Sequence, residues 1–132
     1  MPVSQGCHAT ASSVWEGKPE WGADKAVDGH AETRWGAGVG TKQGWLEVDL
    51  GDKKRFNTVV IQEGWGRTER FDLQVREGHQ WRTILDGKTM GPHFQREFGP
   101  VEGRFVRLNI HEASDVPTIW EFQLFDRSEV PR

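Results

Sequence analysis

The sequence predicts an all-β sandwich, and three observations carry that prediction. Segments in which apolar and polar side chains alternate recur between residues 44 and 125, the period of a half-buried strand. Turn signals separate them about every ten residues, and no long helical pattern interrupts the series. Sixteen Gly, seven Trp and seven Phe with no Tyr suit short strands joined by glycine-marked turns better than a helical bundle.

Ahead of residue 44 the chain reads as loops. Ser13-Val-Trp-Glu-Gly-Lys-Pro-Glu-Trp21 is turn-rich and outside any strand pattern, so Trp15 and Trp21 either face solvent or plug the end of the core. Trp21-Gly-Ala-Asp-Lys-Ala-Val-Asp-Gly29 is the one helical candidate; it is short, closes on a glycine, and supports a single turn.

The strands follow. Gly44-Trp-Leu-Glu-Val-Asp-Leu-Gly51 sets Leu46, Val48 and Leu50 against Glu47 and Asp49 and stops at Gly51-Asp52. Residues 56–62 contain Thr-Val-Val-Ile, a β-branched run expected in a buried strand. Residues 71–77 alternate with Phe71, Leu73 and Val75 inward, and Gly78-His79 turns the chain into residues 81–85 to complete a hairpin. Residues 93–98, 104–110 and 118–125 supply three more period-two segments. Trp35, Trp45, Trp81 and Trp120 sit in or beside these motifs, where packing accounts for them. The polar stretch from Asp126 to Arg132 is expected to fray.

A chain of 132 residues has room for one domain, 1–132, with a core from about residue 7 to about residue 126. A net charge of −3 and the lack of a dense basic run argue against nucleic acid, whose phosphates demand a strongly positive face. No apolar stretch approaches the about 20 residues of a membrane-spanning helix, and no basic–apolar–small leader opens the chain. The single cysteine, Cys7, leaves no internal disulfide and reads as a bystander thiol. A monomer is expected.

One loop gathers the groups that grip a sugar. Glu63-Gly-Trp-Gly-Arg-Thr-Glu-Arg70 places an acceptor (Glu63), an aromatic (Trp65) and two fork-shaped donors (Arg67, Arg70) in one Gly-flanked turn. Charged groups pair with adjacent hydroxyls and an indole covers the C–H face of the ring. The other possibility is that Glu63 and Arg67 form a surface ion pair worth little. His111, before the last strand, offers an imidazole to the same end or is merely a solvated loop residue. Lys42, in the Gly-rich stretch 36–44, is a lesser candidate.

Catalysis finds no support. A glycosidase needs two carboxylates about 5–10 Å apart across a cleft; Glu47 and Asp49 are read as pointing to opposite faces of one strand. No Ser–His–Asp or Cys–His arrangement appears.

Five fragments in order carry a resemblance: Ala26-Val-Asp-Gly-His-Ala-Glu-Thr-Arg-Trp35, Trp45-Leu-Glu-Val-Asp-Leu-Gly51, Phe56-Asn-Thr-Val-Val-Ile61, Arg104-Phe-Val-Arg-Leu-Asn-Ile110 and Ile119-Trp-Glu-Phe-Gln-Leu-Phe125. The series resembles the coagulation-factor type C (discoidin) domains and, within them, the family 32 carbohydrate-binding modules, from Ala9 to Phe125. Residues 63–71 and 117–125 look most like modules appended to bacterial α-L-fucosidases. The resemblance implies an eight-stranded antiparallel β-sandwich (a galactose-binding-like jelly roll). It also implies a non-catalytic module that binds a terminal galactose, N-acetylgalactosamine or fucose and targets a parent glycoside-active enzyme, its catalytic domain lying elsewhere. In such modules the 63–70 loop reads an axial hydroxyl, which here falls on Glu63 and Arg67.

The resemblance further implies a structural calcium ion. Its ligands would be Asp28 by side chain, Thr33 by hydroxyl and carbonyl, Glu121 by carboxylate, and Lys25 and His30 by carbonyls, with Gly29 allowing the turn. The family often has Asn or Asp where His30 stands. The plainer alternative is that Asp28 caps a turn and Glu121 faces solvent. A secreted, periplasmic or cell-surface location is expected, and Met1 running straight into domain-like sequence is what a piece cut from a longer secreted protein would show. The competing function is a discoidin-type adhesion domain for protein or membrane surfaces. Such domains present apolar spikes or a basic rim, whereas these loops mix Glu, Arg and Trp.

Overall fold

The alternating segments become strands, several longer than the sequence suggests. The computed structural model describes residues 1–127. Among them are seven antiparallel strands: β1 (His8–Ala11), β2 (Trp35–Gly36), β3 (Gly44–Glu63), β4 (Thr68–Glu77), β5 (Gln80–Gly87), β6 (Phe94–Ala113) and β7 (Thr118–Phe125). Segments 44–51 and 56–62 fuse into β3, and 93–98 and 104–110 into β6. With β1 and β2 as short additions the described residues hold seven strands, close to the eight that the resemblance implies. The break expected at Gly51 is real but local. The β3–β6 register shifts between Asp49 and Lys54, and Gly51 takes φ 83°, a conformation glycine adopts without a Cβ penalty.

β3 and β6 belong to both layers of the sandwich. The first half of β3 lies between β1 and the second half of β6, which continues to β4 and β5. The second half of β3 lies between the first half of β6 and β7, which continues to β2. Leu46, Val48, Leu73, Val75, Val106 and Leu108 from one layer meet Phe56, Val59, Ile61, Phe122 and Leu124 from the other, all fully buried. Phe71 and Phe94 cross the gap edge to face at 5.3 Å, a favoured aromatic geometry.

Glu47 and Asp49, expected on opposite faces, share the outward one, as a spacing of two requires. Arg107 and Arg104 of β6 engage them at 2.6 and 2.7 Å. Trp45 and Trp81 flank Arg107 at 4.2 and 4.7 Å, which gives these half-buried indoles the structural place expected of them.

The helical candidate shrinks to a 3-10 turn at Ala23–Ala26, preceded by turns at Trp15–Gly17 and Pro19–Trp21. The chain ends are tied down. The Val3 amide donates to the Leu124 carbonyl at 2.8 Å, and the Leu124 amide donates to the Ser4 hydroxyl at 2.9 Å. Asn57 clamps Arg127 through two hydrogen bonds of 2.7 and 2.9 Å, so the fraying expected from Asp126 does not begin there; residues 128–132 lie outside the described residues. Burial, then the charge of Asp49, raises the Cys7 thiol above its ordinary range despite the opposing charge of Lys54, consistent with an unreactive thiol.

Candidate functional site

Loops from four parts of the chain close around one cavity of about 250 Å3. Trp15 and Trp21 come from the 3-10 turns, Arg34 and Gly36 from the start of β2, Trp65 and Arg67 from the β3–β4 turn, and Val116 and Thr118 from the β6–β7 connection. Trp15, Trp21, Trp65 and Arg67, picked from the sequence as site residues, thus come together.

Local structure holds each wall. The fully buried Trp35 donates its indole N–H to the Ser13 carbonyl at 3.0 Å, and the Ser13 hydroxyl accepts from the Gly38 amide at 2.8 Å; this fixes the segment between β1 and Trp15. Gly36 lies beneath two indoles. A Cβ there would stand 3.4 Å from Trp15 Cβ and 3.9 Å from Trp21 Cβ. Trp65 has φ 61° and Gly66 φ 56°, and Trp65 is 63% exposed. A bulky residue in left-handed backbone is strained, a condition that concentrates at binding sites.

The relief of that strain is measurable. Trp65→Gly is expected to be more stable than Trp65→Ala by about 1 kcal/mol in urea titrations, because only glycine takes this backbone freely. Equal midpoints would contradict the strain.

Glu63 is corrected by the structure. It is buried, at 3% exposure, and its carboxylate accepts from the Thr68 amide at 2.6 Å and the Gly91 amide at 3.1 Å. Both oxygens are occupied by backbone, so Glu63 fastens the turn instead of presenting itself to a ligand. No Glu63–Arg67 pair forms either. Arg67 donates to the Val116 carbonyl at 2.9 Å and the Thr118 hydroxyl at 3.3 Å, and its other nitrogen lies 3.7 Å from Asp115.

Arg70 and His111 stand elsewhere. Arg70 pairs with Glu112 at 3.2 Å, His111 Nε2 lies 2.7 Å from Asp72, and both line a cleft along β4 and β5. An irregularity explains Arg70: the β4–β6 register shifts on both sides of it, so it lies past the turn, on the strand, and faces outward although Thr68 two residues earlier is buried. Lys42 is exposed and does not line the Trp65 cavity.

The sequence reading missed Arg34 and undervalued Trp120. The Arg34 guanidinium lies 4.4 Å from the Trp21 ring, 4.9 Å from Trp120 and 5.3 Å from Trp65. Trp120 in turn meets Trp65 at 6.1 Å. The available signal was Arg34 next to Trp35: alternation that buries the indole turns the arginine to the other side.

Lys25, Asp28, His30, Thr33 and Glu121 also converge. The Thr33 hydroxyl lies 2.6 Å from Asp28 Oδ2, 3.2 Å from the His30 carbonyl and 3.4 Å from the Lys25 carbonyl. One hydroxyl proton cannot serve three acceptors. Glu121 is buried, at 4% exposure, and its Oε1 finds no hydrogen-bond partner among the described residues. Burial, then the hydrogen bond and charge of Asp28, push the Glu121 carboxyl up to about 8. Burial also opposes ionisation of Asp28, but hydrogen bonds from Thr33 and the His30 amide outweigh it and hold its carboxyl below the ordinary range. Crowded, under-protonated hard oxygens fit an oxygen-seeking divalent cation. Asp28 does cap a turn through the His30 amide at 2.9 Å, but Glu121 does not face solvent. Among the described residues no three His, Cys, Asp or Glu side chains cluster for a metal, so the cradle depends on the hydroxyl and carbonyls.

Residues 8–122 match the F5/8 type C domain. The protein named "Putative alpha-L-fucosidase 1" of Oryza sativa subsp. japonica is 31% identical over 97 residues, which cover 71% of this chain and 19% of that protein; the chain spans about a fifth of its length. Chitosan-binding module 1 of a chitosanase/glucanase from Paenibacillus sp. IK-5 superposes with a TM-score of 0.86 at 24% identity, over 95% of this chain and 98% of that one. The Clostridium perfringens module CpGH89CBM32-5, solved with GalNAc-β-1,3-galactose, gives 0.79 at 23% identity, over 95% and 99%. Among the described residues no helix is long and apolar enough to cross a membrane. With the match running from β1 into β7, the chain belongs to the F5/8 type C (discoidin) domain family.

Proposed function

We propose that the chain is a non-catalytic module that binds a terminal sugar of galactose, N-acetylgalactosamine or fucose type in the Trp65 cavity and targets a parent glycoside-active enzyme to its glycan. The observation that carries this reading is the convergence of Trp15, Trp21, Trp65, Arg34 and Arg67 on one small cavity. Indoles cover the C–H face of a sugar ring while guanidinium N–H groups bond its oxygens. Support comes from the modules that share the fold, one chitosan-binding and one solved with a GalNAc-galactose disaccharide.

A single ring held this way binds with a Kd of roughly 10⁻³–10⁻⁵ M, and a tethered parent enzyme offsets that weakness through effective concentration. Calcium held by Asp28, Thr33, Glu121 and the carbonyls of Lys25 and His30 would supply structure, not chemistry, pinning the loop that leads to Arg34. Such sites in extracellular modules fill at about 10⁻⁴–10⁻³ M calcium, in keeping with a secreted, periplasmic or cell-surface location.

Calorimetric titration with the methyl glycosides of L-fucose, galactose and N-acetylgalactosamine tests the reading, on wild type and Trp65→Ala. Trp65 is the right residue to truncate because it is exposed, whereas Arg67 also braces Val116 and Thr118. Saturable heat weakened at least about tenfold in the variant is expected, the loss of one stacked aromatic. No heat from any sugar, together with sedimentation on phosphatidylserine vesicles, would replace this reading with the membrane-surface one.

A further inference from the structure

The lining of the Trp65 cavity is one-sided in charge and in hydrogen bonding. It contains two arginines and no carboxylate. Guanidinium is a donor only. The one side-chain acceptor in the lining, the Thr118 hydroxyl, is already engaged: it accepts from Arg67, which also donates to the Val116 carbonyl, and gives its own proton to that carbonyl at 3.2 Å. What the side chains offer a ligand is therefore chiefly indole surface and N–H groups.

Arg34 is the more telling of the two arginines. Elsewhere Arg55, Arg70, Arg82, Arg104 and Arg107 each stand within 4 Å of a carboxylate. Arg67 has the exposed Asp115 at 3.7 Å. Arg34 has no such partner among the described residues; Arg76, Arg96 and Arg127 also lack one, but they are exposed and each lies over a single Phe ring, whereas Arg34 is half-buried among the faces of Trp21, Trp65 and Trp120. Stacking fixes the plane of a guanidinium and leaves its N–H edge free, the geometry that grips two oxygens of an oxyanion with two parallel bonds.

A neutral sugar hydroxyl both donates and accepts, so in this cavity its own proton would go unmatched. Carboxylate and sulfate oxygens only accept. We propose that the cavity selects a terminal sugar bearing an anionic oxygen group, carboxylate or sulfate, with that group on Arg34 and the ring against the indoles. The inference rests on the sugar-binding reading above and narrows its ligand class.

The test titrates calcium-replete protein with methyl galactoside, methyl galacturonide and the 6-sulfate of methyl galactoside, at low and high salt. At least about tenfold tighter binding of one or both charged sugars is expected at low salt, with the advantage shrinking at high salt as screening sets in; which of them gains tells carboxylate from sulfate. Arg34→Gln removes the preference and Arg34→Lys, which keeps charge but not the fork, retains part of it; circular dichroism confirms that both fold. Equal or tighter binding of the neutral sugar overturns the anionic preference and leaves sugar binding standing. Failure of all three sugars overturns the anionic preference, and failure of the methyl glycosides of fucose and N-acetylgalactosamine as well overturns both. A preference that survives in Arg34→Gln, or sodium sulfate alone competing as well as the sugars, overturns the assignment to Arg34 and a sugar-borne anion.

Discussion

In calcium-free buffer the protein loses about 2 kcal/mol of stability as pH rises from about 5 to about 9, and saturating calcium abolishes the loss. The sign follows from Glu121. Its carboxyl titrates near 8 in the folded protein against an ordinary 4.5, so between those values the folded state holds a proton that the unfolded state has released. Stability is therefore greatest at the acid end of this window and falls until the folded group has also ionised. A shift of this size sets an upper limit of about 5 kcal/mol, which water entry and relaxation around a buried carboxylate reduce. Asp28 acts outside the window: its carboxyl is lowered, so its contribution is lost only under more acidic conditions.

Calcium would abolish the slope by binding both carboxylates in their ionised form, and at a hundred times its Kd it would add about 2.7 kcal/mol by mass action. Urea titrations at several pH values in chelator and in calcium read both effects. Glu121→Gln should give a flat profile in chelator and no response to calcium. A wild type already flat in chelator would mean that Glu121 and Asp28 do not share a buried site.

Glu63→Ala costs about 3 kcal/mol and abolishes sugar binding, although Glu63 would touch no sugar. Removing the carboxylate strands the Thr68 and Gly91 amides it accepts from, and an unpaired buried donor costs about 1–3 kcal/mol. The turn that holds Trp65 in left-handed backbone loses its fastener at the same moment. Glu63→Gln keeps one acceptor oxygen and should lose about half as much. Denaturant midpoints give the stability, and calorimetry on the folded fraction gives the binding. Full stability in Glu63→Ala would show that the carboxylate does not hold the turn.

These two residues mark how far the sequence could be read. Alternation located most of β4, β5 and β7 because each holds a period-two stretch, although bulges break the period at the start of β4 and within the β4–β5 pair. It divided β3 and β6 in two, since Gly51-Asp52 carries the signal of a turn whether the chain reverses there or only slips register. β1 and β2 were missed because four and two residues are too few to show a period.

In the site, Trp65 and Arg67 were legible from a short turn rich in glycine. The spacing of Asp28 and Thr33 was legible too, because one loop contains both. Glu63 was misassigned because nothing local reports that its carboxylate turns inward toward Gly91, far down the chain. Arg34 escaped notice for the same reason: its meaning depends on Trp21, Trp65 and Trp120 arriving from three other segments. Trp15 and Trp21 could be left only as exposed or core, and they prove half-buried walls of a cavity.

The tied chain ends have a consequence for how such a domain can be carried. Val3 and Ser4 sit beside Leu124, whereas Thr118 at the other end of β7 lines the cavity. At about 3.3 Å per residue that strand sets the two about 20 Å apart. A host protein could therefore splice the domain into the middle of a surface loop as readily as hang it from a terminus, because entry and exit are adjacent. In either arrangement the ligand mouth would be presented away from the point of attachment.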